Sequence, residues 1–305
     1  MELNTCHFGD CRDLLKQMAS AGVTVQTCVT SPPYLGLRDY GHPDQIGMES
    51  PLDFLDALLG VFRSVRDILS DDGTLWLNLG DSYNSIGHKK SNSGYGSTGL
   101  AGGHAQKHSP TRRENRFPGL KHKDLIGVPW RVAFALQSDG WYLRSDIIWS
   151  KPNPMPESVT DRPTKSHEYI FLLSKSERYY YDHEAIREPA THASIERWRQ
   201  DIANQEGSDR VPGKNNGRMK AVGGPKKDKQ RGHSRRHAGF NDRWDSMTKE
   251  EQAETGRNKR TVWTVPTQPY QGAHFAVFPR QLIEPCILAG SRPGDVVLDP
   301  FMGSG

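Results

Sequence analysis

The chain has 305 residues, which is long enough to bury a full hydrophobic core in one large or two small domains. Its composition is polar for a compact enzyme, since 34% of the residues are hydrophobic and the mean hydropathy is −0.73. A formal net charge of only +4 points to no particular partner, so the distribution of charge is more informative than its total. We therefore expect a packed core that is interrupted by polar insertions.

The sequence also argues against several classes of protein. No apolar run reaches the ~20 residues that a membrane-spanning helix needs, and the first residues do not pair a basic segment with an apolar one, as a secretory leader does. The four cysteines contain no CxxC pair, so we expect neither a zinc site nor a disulfide framework. These features predict a cytoplasmic protein with no metal site and no membrane contact.

The first part of the chain has the pattern of a strand–helix–strand unit. Residues 23–30 form a β-branched run that ends at Ser31, and two prolines then prevent regular strand pairing. Residues 52–69 carry an apolar stripe at helical spacing, closed by residues 71–73, and residues 74–79 are predicted as the next strand. Functional loops in open α/β sheets follow the carboxyl ends of strands. The loop that begins at Ser31 is therefore a candidate site.

The rest of the chain alternates predicted elements with two long polar segments. Residues 82–118 are rich in Gly, Ser, His and Lys and predict a mobile loop. Residues 190–260 predict a flexible basic insertion, because eleven Lys or Arg stand against two acidic residues between Arg210 and Arg243. Helices are predicted at 125–138 and 280–289, strands at 141–149, 167–174 and 296–298, and a return of regular structure at 261–263.

The segment Ser31-Pro32-Pro33-Tyr34 suits methylation of an exocyclic amine. The nitrogen of such an amine is a poor nucleophile, because its lone pair is delocalised into the ring of the base. The Ser31 hydroxyl and the Pro32 carbonyl can accept its two N–H groups, and Pro33 stiffens the loop. Tyr34 offers a flat face on which an extruded base can stack. Taken alone, the tetrapeptide also fits an ordinary proline-rich turn.

A second motif ends the chain. The predicted strand at 296–298 runs into residues 299–305, DPFMGSG. Gly303 and Gly305 allow a backbone with positive φ that approaches a ligand closely. Two glycines by themselves often mark only a tight turn, whereas the whole segment VVLDPFMGSG is far more specific.

The clustered basic residues of the 190–260 insertion suit the phosphates of DNA, which Lys and Arg neutralise. The alternative is a solvated basic segment with no specific role, which is the commoner meaning of such a run taken alone. The predicted DNA-binding residues are Lys214, Arg218, Lys226, Lys227, Arg231, Arg235 and Arg236.

The two motifs, in this order, resemble those of the β-class amino-methyltransferases of DNA. The resemblance implies an α/β fold with a circularly permuted, Rossmann-like methyltransferase sheet and helices on both faces, S-adenosylmethionine as the methyl donor and double-stranded DNA as the substrate. It implies a catalytic half at 1–189, a basic target-recognition insertion at 190–260 and the start of the cofactor-binding half at 261–305. The implied catalytic residues are Ser31, Pro32, Pro33 and Tyr34, and the implied cofactor-binding residues are Asp299, Pro300, Phe301, Gly303, Gly305, His274, Phe278 and Pro279.

The resemblance also leaves alternatives open. The serine form of the loop resembles mostly N4-cytosine enzymes, so cytosine N4 is the predicted target and adenine N6 the alternative. Members of the family continue beyond this turn, so the resemblance implies a truncated chain, with a complementing C-terminal half as a possible partner. A cognate restriction endonuclease is another possible partner. A non-catalytic DNA-binding fragment, and an amino-methyltransferase of RNA or of a protein glutamine, are the other interpretations.

Two single residues have competing interpretations. Cys286 follows a proline, as a cytosine-C5 nucleophile does, but it sits in an apolar helical stretch and is predicted to be buried. Lys151 could contact a phosphate or a base edge, and a solvated lysine is the slightly favoured alternative.

Overall fold

The computed structural model describes residues 2–84, 117–190, 246–248, 255–269 and 277–303, together with residues 193, 196 and 251. The chain divides into two compact units, Met1–Asp182 with Arg260–Gly305, and His183–Lys259. In the smaller unit, Glu188 and Arg257 form an antiparallel bridge with backbone hydrogen bonds of 2.9 and 2.8 Å. Their side chains add an ion pair of 3.0 Å. The larger unit contains the sheet, its helices and the candidate site.

Six strands form one mixed sheet in the larger unit. They are β1 (Val25–Thr30), β2 (Leu69–Leu79), β3 (Tyr142–Ser150), β4 (His167–Ser174), β5 (Val262–Thr264) and β6 (Val297–Leu298). Their order across the sheet is β5-β3-β4-β2-β1-β6. β1 runs parallel to β2 and β6, whereas β4 is antiparallel to β2 and β3. The carboxyl ends of β1, β2, β3 and β6 and the start of β4 therefore lie at one end of the sheet.

Four helices of the described ranges pack on this sheet. They are α1 (Cys11–Ser20), α2 (Pro51–Ile68), α3 (Val128–Ser138) and α4 (Arg280–Gly290). Among the described residues, no helix is both long and apolar enough to cross a bilayer. Cys286 lies inside α4 with 1% of its surface exposed, as the apolar pattern predicts.

The helices lie on both faces of the sheet. α2 packs against both α1 and α3 over a core that includes Cys28 and Leu75. α4 contacts the other face, where a Cβ on Gly290 would lie 2.8 Å from Thr27 Oγ1 and 2.9 Å from Trp76 Nε1. Because successive side chains of a strand point to opposite faces, these contacts place the two helix layers on opposite sides. β1 is buried along its whole length, as a doubly covered strand must be.

Two elements differ from the sequence prediction. The apolar pattern does not predict α1, which begins because Asp10 caps it by accepting a hydrogen bond of 2.8 Å from a backbone N–H of the first turn. β2 begins at Leu69, directly after α2, and includes residues 71–73, which we expected to close the helix. A register shift near the start of β1 accommodates the additional residues of β2.

The segment predicted as a loop at 82–118 is anchored at its described ends. Asn84 is 3% exposed, accepts a hydrogen bond of 2.8 Å from Phe117 N and donates one of 2.9 Å to Leu120 O. Tyr83 pairs with Leu125 in an antiparallel bridge. Residues 85–116 lie outside the described residues, as do His274, Gly305 and all seven predicted DNA-binding residues.

Candidate active site

The two sequence motifs meet at the end of the sheet. β6 pairs with β1 in parallel, with Cys28 opposite Leu298, so the chain leaves both strands on the same side. Thr30, the last residue of β1, donates a hydrogen bond from Oγ1 to Oδ1 of Asp299, the first residue after β6. Two segments that are 269 positions apart in the sequence are thus in direct contact.

Asp299 carries a carboxyl group in a desolvated position. Burial raises the pKa of this carboxyl from 3.8 to about 6, although the hydrogen bonds from Thr30 and from the backbone of Phe301 oppose that rise. Phe301 N lies 2.9 Å from Asp299 Oδ1. Within the described part of the chain both donors reach Oδ1, which leaves Oδ2 as an acceptor for a bound group. A cationic group placed there would favour the ionised carboxylate.

Tyr34 is held by polar contacts at its hydroxyl and by close packing at its ring. The hydroxyl lies 2.8 Å from Glu168 Oε2 and 3.1 Å from Asn78 Oδ1, and Ser31 Oγ is 3.4 Å away. The ring packs on Gly80, where a Cβ would lie only 2.5 Å from Tyr34 Cε2. Burial, and then the negative charge of Glu168, raise the pKa of the phenol well above its usual value. Tyr34 therefore stays neutral and keeps its proton.

Glu168 connects Tyr34 to Lys151. Its Oε1 pairs with the Lys151 ammonium, which lies 4.1 Å from the centroid of the Trp149 ring. The Lys151 and Glu168 side chains are only 17% and 16% exposed. The expectation of a solvated Lys151 is therefore wrong. The antiparallel pairing of β3 and β4 sets Trp149 opposite Glu168, so the residue after β3 reaches the carboxylate.

These groups line one cavity of about 2100 Å³. Pockets for one small ligand typically measure roughly 300–1,000 Å³, so this cavity has room for two ligands side by side. Lys165 also lines it and donates from Nζ to Asp81 O at 3.3 Å. Burial lowers the pKa of the Lys165 ammonium. The cavity therefore combines apolar walls with a few fixed donors and acceptors.

The structure brings most of the predicted site residues together. The predicted catalytic and cofactor-binding residues that line the cavity are Ser31, Pro32, Pro33, Tyr34, Phe278, Asp299, Pro300, Phe301 and Gly303. Gly303 has a φ of 66°, the left-handed conformation for which glycine was predicted. Pro279 is not among the described residues that line the cavity, and it precedes α4 with an extended backbone. Within the described ranges, no group of three or more His, Cys, Asp or Glu could hold a metal ion.

Sequence reasoning missed three residues of the site, Gly80, Lys165 and Glu168. Gly80 directly follows a predicted strand, so the rule that places functional groups at carboxyl ends of strands could have found it. Glu168 stands at the start of β4, which reaches this end of the sheet only because β4 runs antiparallel to β2. The direction of a strand is not visible in its hydrophobic pattern.

Comparisons with known proteins agree with this geometry. A sequence profile of the N6_N4_Mtase family, described as DNA methylase, matches residues 25–305. The type II methyltransferase M.Cfr9I of Citrobacter freundii is 45% identical over an alignment that covers 100% of this chain and 79% of that protein. M.SmaI of Serratia marcescens is 46% identical, covering 99% of this chain and 81% of that protein. The family match confirms the predicted resemblance and, with it, S-adenosylmethionine as the methyl donor.

A solved structure confirms the fold. The PvuII DNA methyltransferase (cytosine-N4-specific) superposes with a TM-score of 0.52 at 15% identity, covering 96% of this chain and 72% of that chain. At this identity the likeness shows the fold alone, and it bears out the predicted Rossmann-like α/β sheet. With a family profile over most of its length and close relatives aligned along the whole chain, this protein belongs to the DNA methyltransferases of the N4-cytosine/N6-adenine family.

Proposed function

We propose that this chain methylates N4 of cytosine in double-stranded DNA. The observation that carries the proposal is the hydrogen bond between Thr30 and Asp299. It sets the loop that begins at Ser31 beside the turn that begins at Asp299, in the wall of one cavity. A methyl donor bound by the turn and an amine held by the loop would then meet at the short separation that a one-step displacement requires.

Ser31 and Pro32 are the acceptors that we assign to the two N–H groups of the target amine. The Ser31 hydroxyl is also a hydrogen-bond donor, and the Tyr34 oxygen at 3.4 Å is an acceptor for its proton. The lone pairs of Ser31 Oγ then remain for the amine. Fixed acceptors stabilise the positive charge that develops on the nitrogen as it bonds to the methyl carbon. The nitrogen gains the methyl group as the bond from the methyl carbon to the donor sulfur breaks, so the sulfur would leave as a neutral thioether. The nitrogen then releases one proton to solvent.

The residues of the 299–303 turn fit the methyl donor. When bound, S-adenosylmethionine supplies an activated methyl group on a positively charged sulfur. Asp299 offers the acceptor Oδ2 to a cationic part of the ligand, and Gly303 lets the backbone approach closely. Phe301 and Phe278 contribute apolar surface to the cavity wall. We assign the binding of this cofactor to these four residues.

Two lysines favour cytosine over adenine as the flipped base. Lys151 and Lys165 both line the cavity that contains the Ser31 loop. Beside its amine, cytosine presents two acceptors along one edge of the ring, N3 and O2, whereas on the same edge adenine presents N1 followed by the apolar C2–H. Two ammonium donors match cytosine better. The serine of the loop, which resembles the N4-cytosine enzymes, supports the same choice.

The basic insertion at 190–260 is the segment that we assign to phosphate contact. The DNA affinity falls as the salt concentration rises, and the slope of log affinity against log salt concentration becomes steeper with each phosphate that a Lys or Arg neutralises. Replacing Lys226 and Lys227 by alanine is expected to weaken binding and to reduce that slope by about two. Lys16→Ala, an exposed lysine on α1, is the control and is expected to leave the slope unchanged. An unchanged slope in the double variant would contradict this assignment.

Replacement of the Ser31 hydroxyl tests the catalytic assignment. Ser31→Ala removes one acceptor aimed at the amine, and loss of one such group typically costs on the order of 100-fold in kcat. Ser64→Ala is the matched control, because Ser64 is also half-buried and its hydroxyl bonds to Gly60 O at 3.3 Å in α2. The assay is the initial rate of labelled methyl transfer to unmethylated genomic DNA. Ser31→Ala at the rate of the unmodified chain would refute the proposed role of the loop.

A further inference from the structure

A directed chain of hydrogen bonds ends at Ser31. Ser31 Oγ lies 3.4 Å from the Tyr34 hydroxyl, and that hydroxyl lies 2.8 Å from Glu168 Oε2. Catalytic hydrogen bonds are often long before the substrate binds, so the first separation is compatible with a contact that tightens. An ionised carboxylate only accepts hydrogen bonds. Tyr34 must therefore donate to Glu168, and its oxygen is then an acceptor for the Ser31 proton.

We propose that Glu168 is a positioning residue. It sets the direction of this series of hydrogen bonds and thereby turns the lone pairs of Ser31 toward the target amine. The inference rests on the proposed function, since it concerns the amine that Ser31 accepts. Glu168 touches neither the base nor the cofactor in this account. It acts through Tyr34, which carries the effect to the loop.

Other contacts fix the carboxylate in the orientation that this role needs. Lys151 pairs with Oε1, so Oε2 is the oxygen that faces Tyr34. Asn78 Nδ2 donates to Oε2 at 3.3 Å and to Tyr169 O at 3.0 Å, which holds its amide with Oδ1 toward Tyr34. Asn78 Oδ1 is a second acceptor for the Tyr34 proton, and it imposes the same direction on the chain. The Glu168 side chain is 16% exposed, so water competes weakly for these contacts.

Substitution of Glu168 by glutamine is expected to disturb the direction of the hydrogen bonds while keeping the size of the side chain. In Glu168→Gln the Lys151 ammonium attracts the amide oxygen, so the amide nitrogen faces Tyr34 as a donor. The Tyr34 oxygen is then occupied, and the Ser31 proton is free to point at the amine that it should accept from. Hydrogen bonds that involve a charged group are among the stronger ones, so we expect kcat to fall at least tenfold while the KM for DNA changes little.

A double-mutant cycle separates this role from general support of the fold. Tyr34→Phe also interrupts the series of hydrogen bonds. In the Tyr34→Phe background, Glu168→Gln is therefore expected to lower kcat by less than a further threefold. An equal loss in both backgrounds would overturn the proposal, because Glu168 would then act by another route. Asp139→Asn is the matched control, since this carboxylate is also 16% exposed and also ion-paired, with Arg63, but it does not line the cavity.

Backbone hydrogen exchange of Ser31 and of residues 34–36 provides a readout that does not depend on catalysis. Both single variants and the double variant are expected to speed exchange in the loop by the same factor, whereas Asp139→Asn leaves it unchanged. Unaltered exchange in Glu168→Gln would overturn the inference even if the rate fell. If the unmodified protein transfers no methyl group, that result counts against the proposed function. Hydrogen exchange in the loop that begins at Ser31 would still decide whether Glu168 holds this loop.

Discussion

Substitution of Asp299 by asparagine should stabilise the fold and weaken cofactor binding. Burial raises the pKa of the Asp299 carboxyl from 3.8 to about 6. At about 1.4 kcal/mol for each pKa unit, ionising this group in the folded chain costs on the order of 3 kcal/mol relative to the unfolded chain. Asparagine carries no charge, and its Oδ1 can still accept from Thr30 and from Phe301 N, so it avoids this cost and keeps both contacts.

The sign of the pH dependence follows from the raised pKa. Below about pH 4 both states of the unmodified chain hold a protonated carboxyl, so the two proteins should be equally stable. Between about pH 4 and pH 6 the unfolded state ionises while the folded state still holds its proton, so the unmodified chain loses stability that Asp299→Asn retains, and the difference levels off above about pH 6. The free energy of unfolding, from urea titrations at pH 4 to 8, should therefore diverge by up to about 3 kcal/mol in favour of the variant.

A control and a binding assay complete this test. Asp139→Asn should show the opposite sign, because the guanidinium of Arg63 lowers the pKa of the Asp139 carboxyl. Calorimetry with S-adenosylmethionine should show affinity that rises with pH through about 6 in the unmodified chain, and at least tenfold weaker, pH-independent binding in Asp299→Asn. A variant that is less stable at every pH, or that binds the cofactor normally, would refute the reasoning.

Three further substitutions probe the site and the fold. Gly80→Ala would place a Cβ 2.5 Å from the Tyr34 ring, so methyl transfer should fall at least tenfold while circular dichroism is preserved; normal activity would show that the ring position is not needed. Thr30→Val removes the donor that lowers the pKa of Asp299, so the midpoint of pH-dependent cofactor binding should move upward, and a downward shift would contradict the assignment. Gly290→Ala, whose Cβ would lie within 2.9 Å of side chains from β1 and β2, should lower the free energy of unfolding by roughly 1–3 kcal/mol in a urea titration.

The sequence predicts the fold well where burial and function leave a pattern. The β-branched run before Ser31 and the VVLD run before Phe301 predict two strands that enter loops, and both are present as β1 and β6. Both loops line one cavity in the structure. The strand predicted at 167–174 coincides with His167–Ser174.

The remainder of the site depends on information that a hydrophobic pattern does not contain. Glu168 belongs to the site because β4 runs antiparallel to its neighbours, and Lys151 is largely shielded from solvent because that pairing provides a carboxylate for it. Asp10 appears in the sequence as an ordinary loop residue, and only its hydrogen bond to the first turn shows that it caps α1. Contacts between distant segments decide the first two cases, and a local hydrogen bond at the start of α1 decides the third.

Methyl transfer from S-adenosylmethionine to unmethylated genomic DNA, followed by mass spectrometry of the nucleosides, tests the central claim most directly. The account predicts N4-methylcytosine, and predicts that Ser31→Ala forms far less of it than Ser64→Ala does. N6-methyladenine as the product would contradict the assignment of cytosine. Transfer to neither base would contradict the claim that this chain is a DNA methyltransferase acting through the cavity between Ser31 and Asp299.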